Sequence, residues 1–172
     1  MEFLNPNKVI EELDLQEEMV VADFGCGSGG WVIPLAKKIE KAKIYAIDIL
    51  EEPLSVLKAQ IQNQKLFNIE TMRANVESKR NLSIEDKSCD LILMTNLLFQ
   101  CEDKKLVLKQ GKRILKSNGE ILIVDWKDGV GFGPEQGKIS VDEVKKIAQE
   151  IDLKMKKEIN AGKYHYALVF GQ

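Results

Sequence analysis

Five short apolar runs lie along the first 126 positions, at about 19–24, 43–49, 69–73, 90–94 and 120–126, and between them apolar residues return at three- or four-residue spacing. Unbroken runs of this length are the mark of parallel strands buried on both faces, and the spaced stretches are the mark of helices packed on those faces. Helices are predicted at about 31–40, with Pro34 near the first turn, and from Pro53, with Leu54, Leu57 and Ile61 turned to the core. Another is predicted at about 103–116, separated from the fifth strand by an Asn118-Gly119 turn. Asn5-Pro6 reads as an N-cap with proline at the first helical position, opening a short helix through Val9, Ile10 and Leu13. The polar stretch 75–88 and the segment 95–99 read as loops. Beyond 126 come a glycine-rich loop (127–138), a helix through Ile147 and Ile151 opened by a Ser140/Glu143 capping box, and strands at 154–160 and 164–170 joined by Ala161-Gly162-Lys163. The sum is an α/β chain: a doubly wound sheet of seven strands, the last antiparallel, with helices on both faces.

At 172 residues this is one domain: a short helix and partial lid (1–18), a core that carries the candidate ligand turn (19–126), and a substrate-side loop, helix and terminal hairpin (127–172). An apolar fraction of 44% with 30% charged residues is that of a globular protein. No apolar run approaches the roughly 20 residues that cross a bilayer, and the N-terminus lacks the regions of a signal peptide, so membrane insertion is not expected and a cytoplasmic location is. Three cysteines, Cys26, Cys89 and Cys101, with no C-x-x-C spacing predict neither a disulfide framework nor a metal site. A net charge of −2 argues against a nucleic acid partner, and Lys154, Lys156, Lys157 and Lys163 read as the charged edge of a sheet.

The candidate chemistry begins where the first strand ends, in Asp23-Phe24-Gly25-Cys26-Gly27-Ser28-Gly29-Gly30. Glycines at alternate positions let the backbone turn tightly and approach a ligand that any Cβ would exclude. Gly25, Gly27 and Gly30 satisfy the dinucleotide pattern G-x-G-x-x-G, while Asp23, Gly25, Gly27 and Gly29 satisfy the D-x-G-x-G-x-G turn of Rossmann-like methyltransferases. An acid two residues before the turn is a poor neighbour for pyrophosphate and a good one for the cationic groups of S-adenosylmethionine. In an open α/β sheet, ligands bind beyond the carboxyl ends of the strands. That rule selects Asp48, with Ile49 beside it, for ribose hydroxyls, and Asn75 and Val76 for adenine. It also selects Thr95 and Asn96 for the methionine ammonium, with Leu97, Leu98 and Phe99 as an apolar wall.

Taken in order, these segments resemble class I S-adenosylmethionine-dependent methyltransferases over about 20–126. The nearer likeness is to the branch with ubiquinone and menaquinone C-methyltransferases, carried by Ala46-Ile47-Asp48-Ile49, Asn96-Leu97-Leu98-Phe99, Arg113-Ile114-Leu115-Lys116 with Asn118-Gly119, and Tyr164-His165-Tyr166. The resemblance implies S-adenosyl-L-methionine as cofactor and a small, partly apolar methyl acceptor. Asn75 departs from the Asp usual at its place, and an Asn there also suits a turn. The Asn/Asp-Pro-Pro-Tyr signature of amino methyltransferases is absent after strand four, which argues against adenine-N6 and glutamine methylation. Transfer is an in-line displacement, so alignment alone contributes up to roughly 7 to 11 kcal/mol, and a base is needed only for a protonated nucleophile. His165, the one histidine, is the candidate base; the alternative is a strand residue packed between Tyr164 and Tyr166. Relatives carry a longer segment before strand one, so the cover here falls to the first residues and to the loop 127–138, and a homodimer is one way to complete it. The rival readings are a module that binds S-adenosylmethionine without turnover and an NAD-linked oxidoreductase.

Overall fold

The computed structural model describes residues 3–78 and 82–172. A seven-stranded sheet runs in the order β3-β2-β1-β4-β5-β7-β6, formed by β1 (Val20–Phe24), β2 (Lys43–Asp48), β3 (Ile69–Arg73), β4 (Cys89–Thr95), β5 (Leu115–Trp126), β6 (Lys154–Ile159) and β7 (His165–Gly171). Strands β1 to β5 pair in parallel, while β7 runs antiparallel to both β5 and β6. The order reverses beside β1, between β1 and β4, which is where a crevice opens in such a sheet.

Pairing register decides what each face carries. Asp23 is level with Leu93, and Leu93 with Leu122, so these three point to one side, as do Thr95, Val124, Trp126 and His165 further along. That side is covered by α1 (Pro6–Glu11), α2 (Val32–Lys38) and α3 (Glu51–Gln64), which bury Val9, Ile10, Leu35, Leu54 and Leu57 in one apolar layer. The other side carries Phe24, Met94, Ile123 and Tyr166 under α4 (Lys104–Ile114) and α5 (Val141–Glu150), with Val107, Leu108, Val144 and Ala148 facing them. Burying both faces explains why the central strands read as unbroken apolar runs. The lysine-rich strand β6 is the exposed edge.

The predicted helix starts follow their caps. The Asn5 side chain accepts from Asn7 N at 3.0 Å, and Asp103 from Leu106 N at 2.9 Å. Ser140 and Glu143 form the reciprocal capping box of α5. Helix α3 starts two residues ahead of Pro53, at Glu51, and Ile61 on it is half-buried. Of the loop expected over 75–88, residues 79–81 lie outside the described residues.

One expectation is corrected. Asn118-Gly119 does not form a turn between a helix and a fresh strand: β5 begins at Leu115, and the dipeptide lies in a bulge within it. Between the pairs Cys89–Leu115 and Leu91–Glu120, β5 spends five residues where β4 spends two. Gly119 is needed there for contact, since a Cβ would stand 2.9 Å from the Asp90 carbonyl oxygen and 2.6 Å from Leu115 Cδ1. The Asp90 carboxylate ties the region together, accepting from Lys116 Nζ at 2.8 and 2.9 Å and from Val20 N at 2.8 Å.

Ser140→Ala should remove the cap of α5 and cost about 1 kcal/mol, which lowers the melting temperature by roughly 2 to 4 °C in a domain of this size. Calorimetric melting of the variant checks it, and an unchanged midpoint would contradict the role given to the cap.

Candidate functional site

The turn after β1 is held open by the strand beside it. Gly25 N and Cys26 N both donate to the Ile47 carbonyl, at 2.8 and 2.9 Å, and Gly27 N donates to Asp48 Oδ2 at 2.9 Å. Asp48 Oδ1 accepts from Leu50 N at 3.0 Å, so two backbone amides orient this carboxylate. Gly25, Gly27 and Gly29 take φ of 73°, 53° and 97°, the left-handed region that glycine enters freely. No atom lies within 4 Å of where a Gly27 Cβ would stand, so its backbone faces open space. Gly29 is different: a Cβ there would meet Leu57 Cδ1 at 2.6 Å, so this glycine seats the turn on α3.

Beside the turn lies a crevice of about 420 Å3. Of the residues read from the sequence, Gly25, Gly27, Asp48, Ile49, Asn75 and Val76 line it. Asp23, Cys26, Gly29, Thr95 and Asn96 do not. Thr95 is the last residue of β4, paired with Val124 and buried, and Asn96 turns the chain with φ of 50°. Asn96 N donates to Val124 O at 2.7 Å, and its own carbonyl accepts from Gln100 Nε2, also at 2.7 Å. Asn75 Oδ1 accepts from Glu77 N at 2.8 Å, so the amide makes the turn that was the alternative to an adenine contact and keeps one lone pair. Leu50, Glu77, Leu97, Gln100 and Cys101 also face the crevice. Leu97 belongs to the expected apolar wall, whereas Leu98 is fully buried. Glu77 and Gln100 carry no sequence signal. Nothing marks them apart from other loop residues.

Asp23 is the electrostatic centre of the region. Its side chain is fully buried and neither carboxyl oxygen has a hydrogen-bond partner. Burial first, and the charge of Asp48 second, hold its pKa well above the ordinary carboxylate value. A buried unpaired carboxyl costs several kcal/mol of folding free energy. A cationic or donor-bearing ligand beside it would offset that cost. Asn96 Oδ1 is also buried without a partner.

His165 stands at the far edge of the same sheet face. It is 5% exposed, its ring centroid lies 3.9 Å from that of Trp126, and neither ring nitrogen has a partner. Burial, with a smaller push from the Lys127 charge, lowers its pKa to about 4. The ring is neutral at pH 7 and able to accept a proton, but as a weak base. Neighbouring Asp125 is buried and pushed up to about 6 by desolvation, against the pull of donors from Trp126 N and Phe99 N at 2.8 and 3.3 Å. All three cysteines are buried, and no cluster of three metal-ligating side chains occurs among the described residues. No helix among them is long and apolar enough to cross a membrane.

A parallel sheet with one antiparallel strand next to its edge, a glycine turn after β1 and an acid at the end of β2 define a Rossmann-like methyltransferase domain. Residues 15–170 match the family described as methyltransferase domain, and the chain belongs to that family. Its fold and family make S-adenosylmethionine the cofactor, and Asp23, the open Gly27 backbone and the amide-held Asp48 fit such a ligand. The chain is 28% identical over 128 residues to a demethylmenaquinone methyltransferase of Bacillus cereus, covering 74% of this chain and 53% of that protein. It thus spans about half the length of the curated relatives it matches. A solved SAM-dependent methyltransferase from Aquifex aeolicus is similar over 98% of this chain and 89% of its own, at 27% identity and a TM-score of 0.88. The cyclase SpnF shares the fold over 91% of this chain and 58% of its own, at 14% identity and a TM-score of 0.80.

Asp48→Ala should weaken S-adenosylhomocysteine binding by about 1 to 3 kcal/mol, since it removes a charged acceptor and frees the Gly27 amide. Titration calorimetry checks this, and unchanged affinity would remove Asp48 from the site. The imidazole of His165 should titrate near pH 4 when followed by NMR. Its folded-state pKa is depressed, so its contribution to stability is complete above about pH 6.5 and is lost as the pH falls toward 4. A midpoint near 6.5 would show that the ring is solvated.

Proposed function

We propose that this chain transfers the methyl group of S-adenosylmethionine to a small, partly apolar acceptor. The observation that carries the reading is Asp23, a buried carboxyl without a partner directly before a glycine turn whose amides are already engaged by β2. In this reading Asp48 receives the ribose hydroxyls, Ile49 and Val76 enclose the base, and Asn75 presents its remaining lone pair to it. Asp23 and Asn96 set the polarity where the methionine end lies. The cofactor supplies an electrophilic methyl group, so the protein's own contribution is orientation and exclusion of water. Phe3, Phe132, Tyr164 and Trp126, gathered at the carboxyl edge beside β5, suit an acceptor with an apolar body. The demethylmenaquinone methyltransferases among its relatives point the same way. A net charge of −2 fits a cytoplasmic small-molecule enzyme better than one acting on nucleic acid.

A protein named as a cyclase shares this fold, so the fold by itself does not imply methyl transfer, and the second reading of this chain is a domain that holds the cofactor without turnover. Melting experiments separate the cofactor question from the turnover question. S-adenosylmethionine and S-adenosylhomocysteine at about 100 times their Kd should add about 2.7 kcal/mol, hence roughly 5 to 10 °C, while NAD and NADP add nothing. Equal stabilisation by NAD would sink the assignment. Cofactor-induced stabilisation with no radiolabelled methyl transferred to any member of a phenol, thiol, amine and enol panel would favour the cofactor-binding module instead.

A further inference from the structure

We infer that Trp126 and His165 floor a second subsite, for a planar aromatic ring bearing a hydroxyl group, and that Phe132 is a plug this ring displaces. The inference rests on the methyltransferase reading only for its purpose, since the ring would be the acceptor or part of it. Its physical basis is separate.

The first observation is the histidine. A neutral imidazole has one donor and one acceptor, and both nitrogens of His165 are buried and unpaired. The polar groups around it are otherwise satisfied: Tyr166 Oη donates to Ile139 O at 3.1 Å, Lys127 Nζ to Gly162 O at 3.1 Å, and Asp125 accepts two amides. Two unmade hydrogen bonds on one ring are costly in a fold that satisfies its neighbours. A hydroxyl can serve either nitrogen. Register places the ring on the same face as Asp23, and Trp126 lies four residues beyond Leu122, the β5 residue level with Asp23 through Leu93. Four residues of strand are roughly 13 Å, so the subsite lies beyond the cofactor turn toward the carboxyl edge.

The second observation is what covers Trp126. Its indole has His165 at 3.9 Å and Phe132 at 6.0 Å, centroid to centroid. Phe132 in turn meets Tyr164 at 4.9 Å and Phe3 at 6.1 Å, and Phe3 meets Tyr164 at 5.6 Å. Phe132 thus links the pair to Phe3 and Tyr164, yet Phe3 and Phe132 are 55% and 50% exposed. Phe132 is held by a loop, not by a core. Gly133 next to it has φ of 92° and lets the backbone lie on Trp126, where a Cβ would stand 2.5 Å from the ring. Lys138 Nζ bonds the carbonyls of Val130 and Phe132 at 3.2 and 2.9 Å, so the loop is tied as a unit, with Gly129 at φ of 69° at its start. The phenyl group occupies the place a ligand ring would take, at the position where exchange costs least.

His165 is the only histidine, so its ring signals in an NMR spectrum of the intact protein are unambiguous. Titration with 2-naphthol should shift them saturably, and the saturated analogue decahydro-2-naphthol should not. Phe132→Ala should tighten naphthol binding about two- to tenfold, the worth of one aromatic contact, because the plug is gone. Weaker binding to that variant would show that Phe132 is a wall and overturn the plug. No shift with naphthol in either protein, or an equal shift with the saturated alcohol, would overturn the subsite. The melting shift with S-adenosylhomocysteine, measured on the same samples, reports the cofactor reading independently: its loss with naphthol binding intact would refute the methyltransferase reading and leave the subsite standing.

Discussion

The constraint on which the site depends is a carboxyl group buried at the centre of a seven-stranded sheet with nothing bonded to it. Asp23 is the last residue but one of an otherwise apolar strand, between β2 and β4 and on the face covered by α2 and α3. The amides of the turn that follows are committed elsewhere: Gly25 and Cys26 to Ile47 O, Gly27 to Asp48. The strand beside β1 therefore shapes the glycine turn, and none of these bonds involves Asp23. Destabilisation is placed where a ligand bearing positive charge can offset it.

Support around this centre comes from side chains packed behind the loops and, on one flank, from Gln100, which also faces the crevice. Gln60 on α3 donates to Ser28 O at 2.9 Å and fixes the turn from outside. Arg73 at the end of β3 donates to Ile49 O at 3.1 Å, holding the segment that follows Asp48. On the other flank, Gln100 Nε2 takes the Asn96 carbonyl, and Asp125 holds Phe99 N, so the exit from β4 is pinned at two points. A site assembled from strand ends is only as exact as the loops that leave them, and these bonds restrict the loops.

Much of this was legible in the sequence because the signals are local. The acid, the glycine turn and Asp48 follow apolar runs directly, and six of the eleven expected cofactor residues line one crevice. The rest needed three dimensions. Gly29 satisfies a ligand motif, yet its lack of a Cβ is spent on Leu57. Asn118-Gly119 has the composition of a turn, but pairing of β5 with β4 on either side absorbs it as a bulge. The aromatic cluster joins Phe3, Phe132 and Tyr164, whose separations in sequence exceed any periodicity, and only closure of the sheet brings them together. His165 was visible as a residue but not as an unpaired one.

A crystal structure with S-adenosylhomocysteine bound tests the central claim most directly. The account predicts that the ribose hydroxyls lie on Asp48 and that Asp23 gains a polar partner, either a ligand group or an ordered water joined to one. A ligand bound away from the glycine turn, or one bound there with both Asp23 oxygens still unpaired, would contradict it.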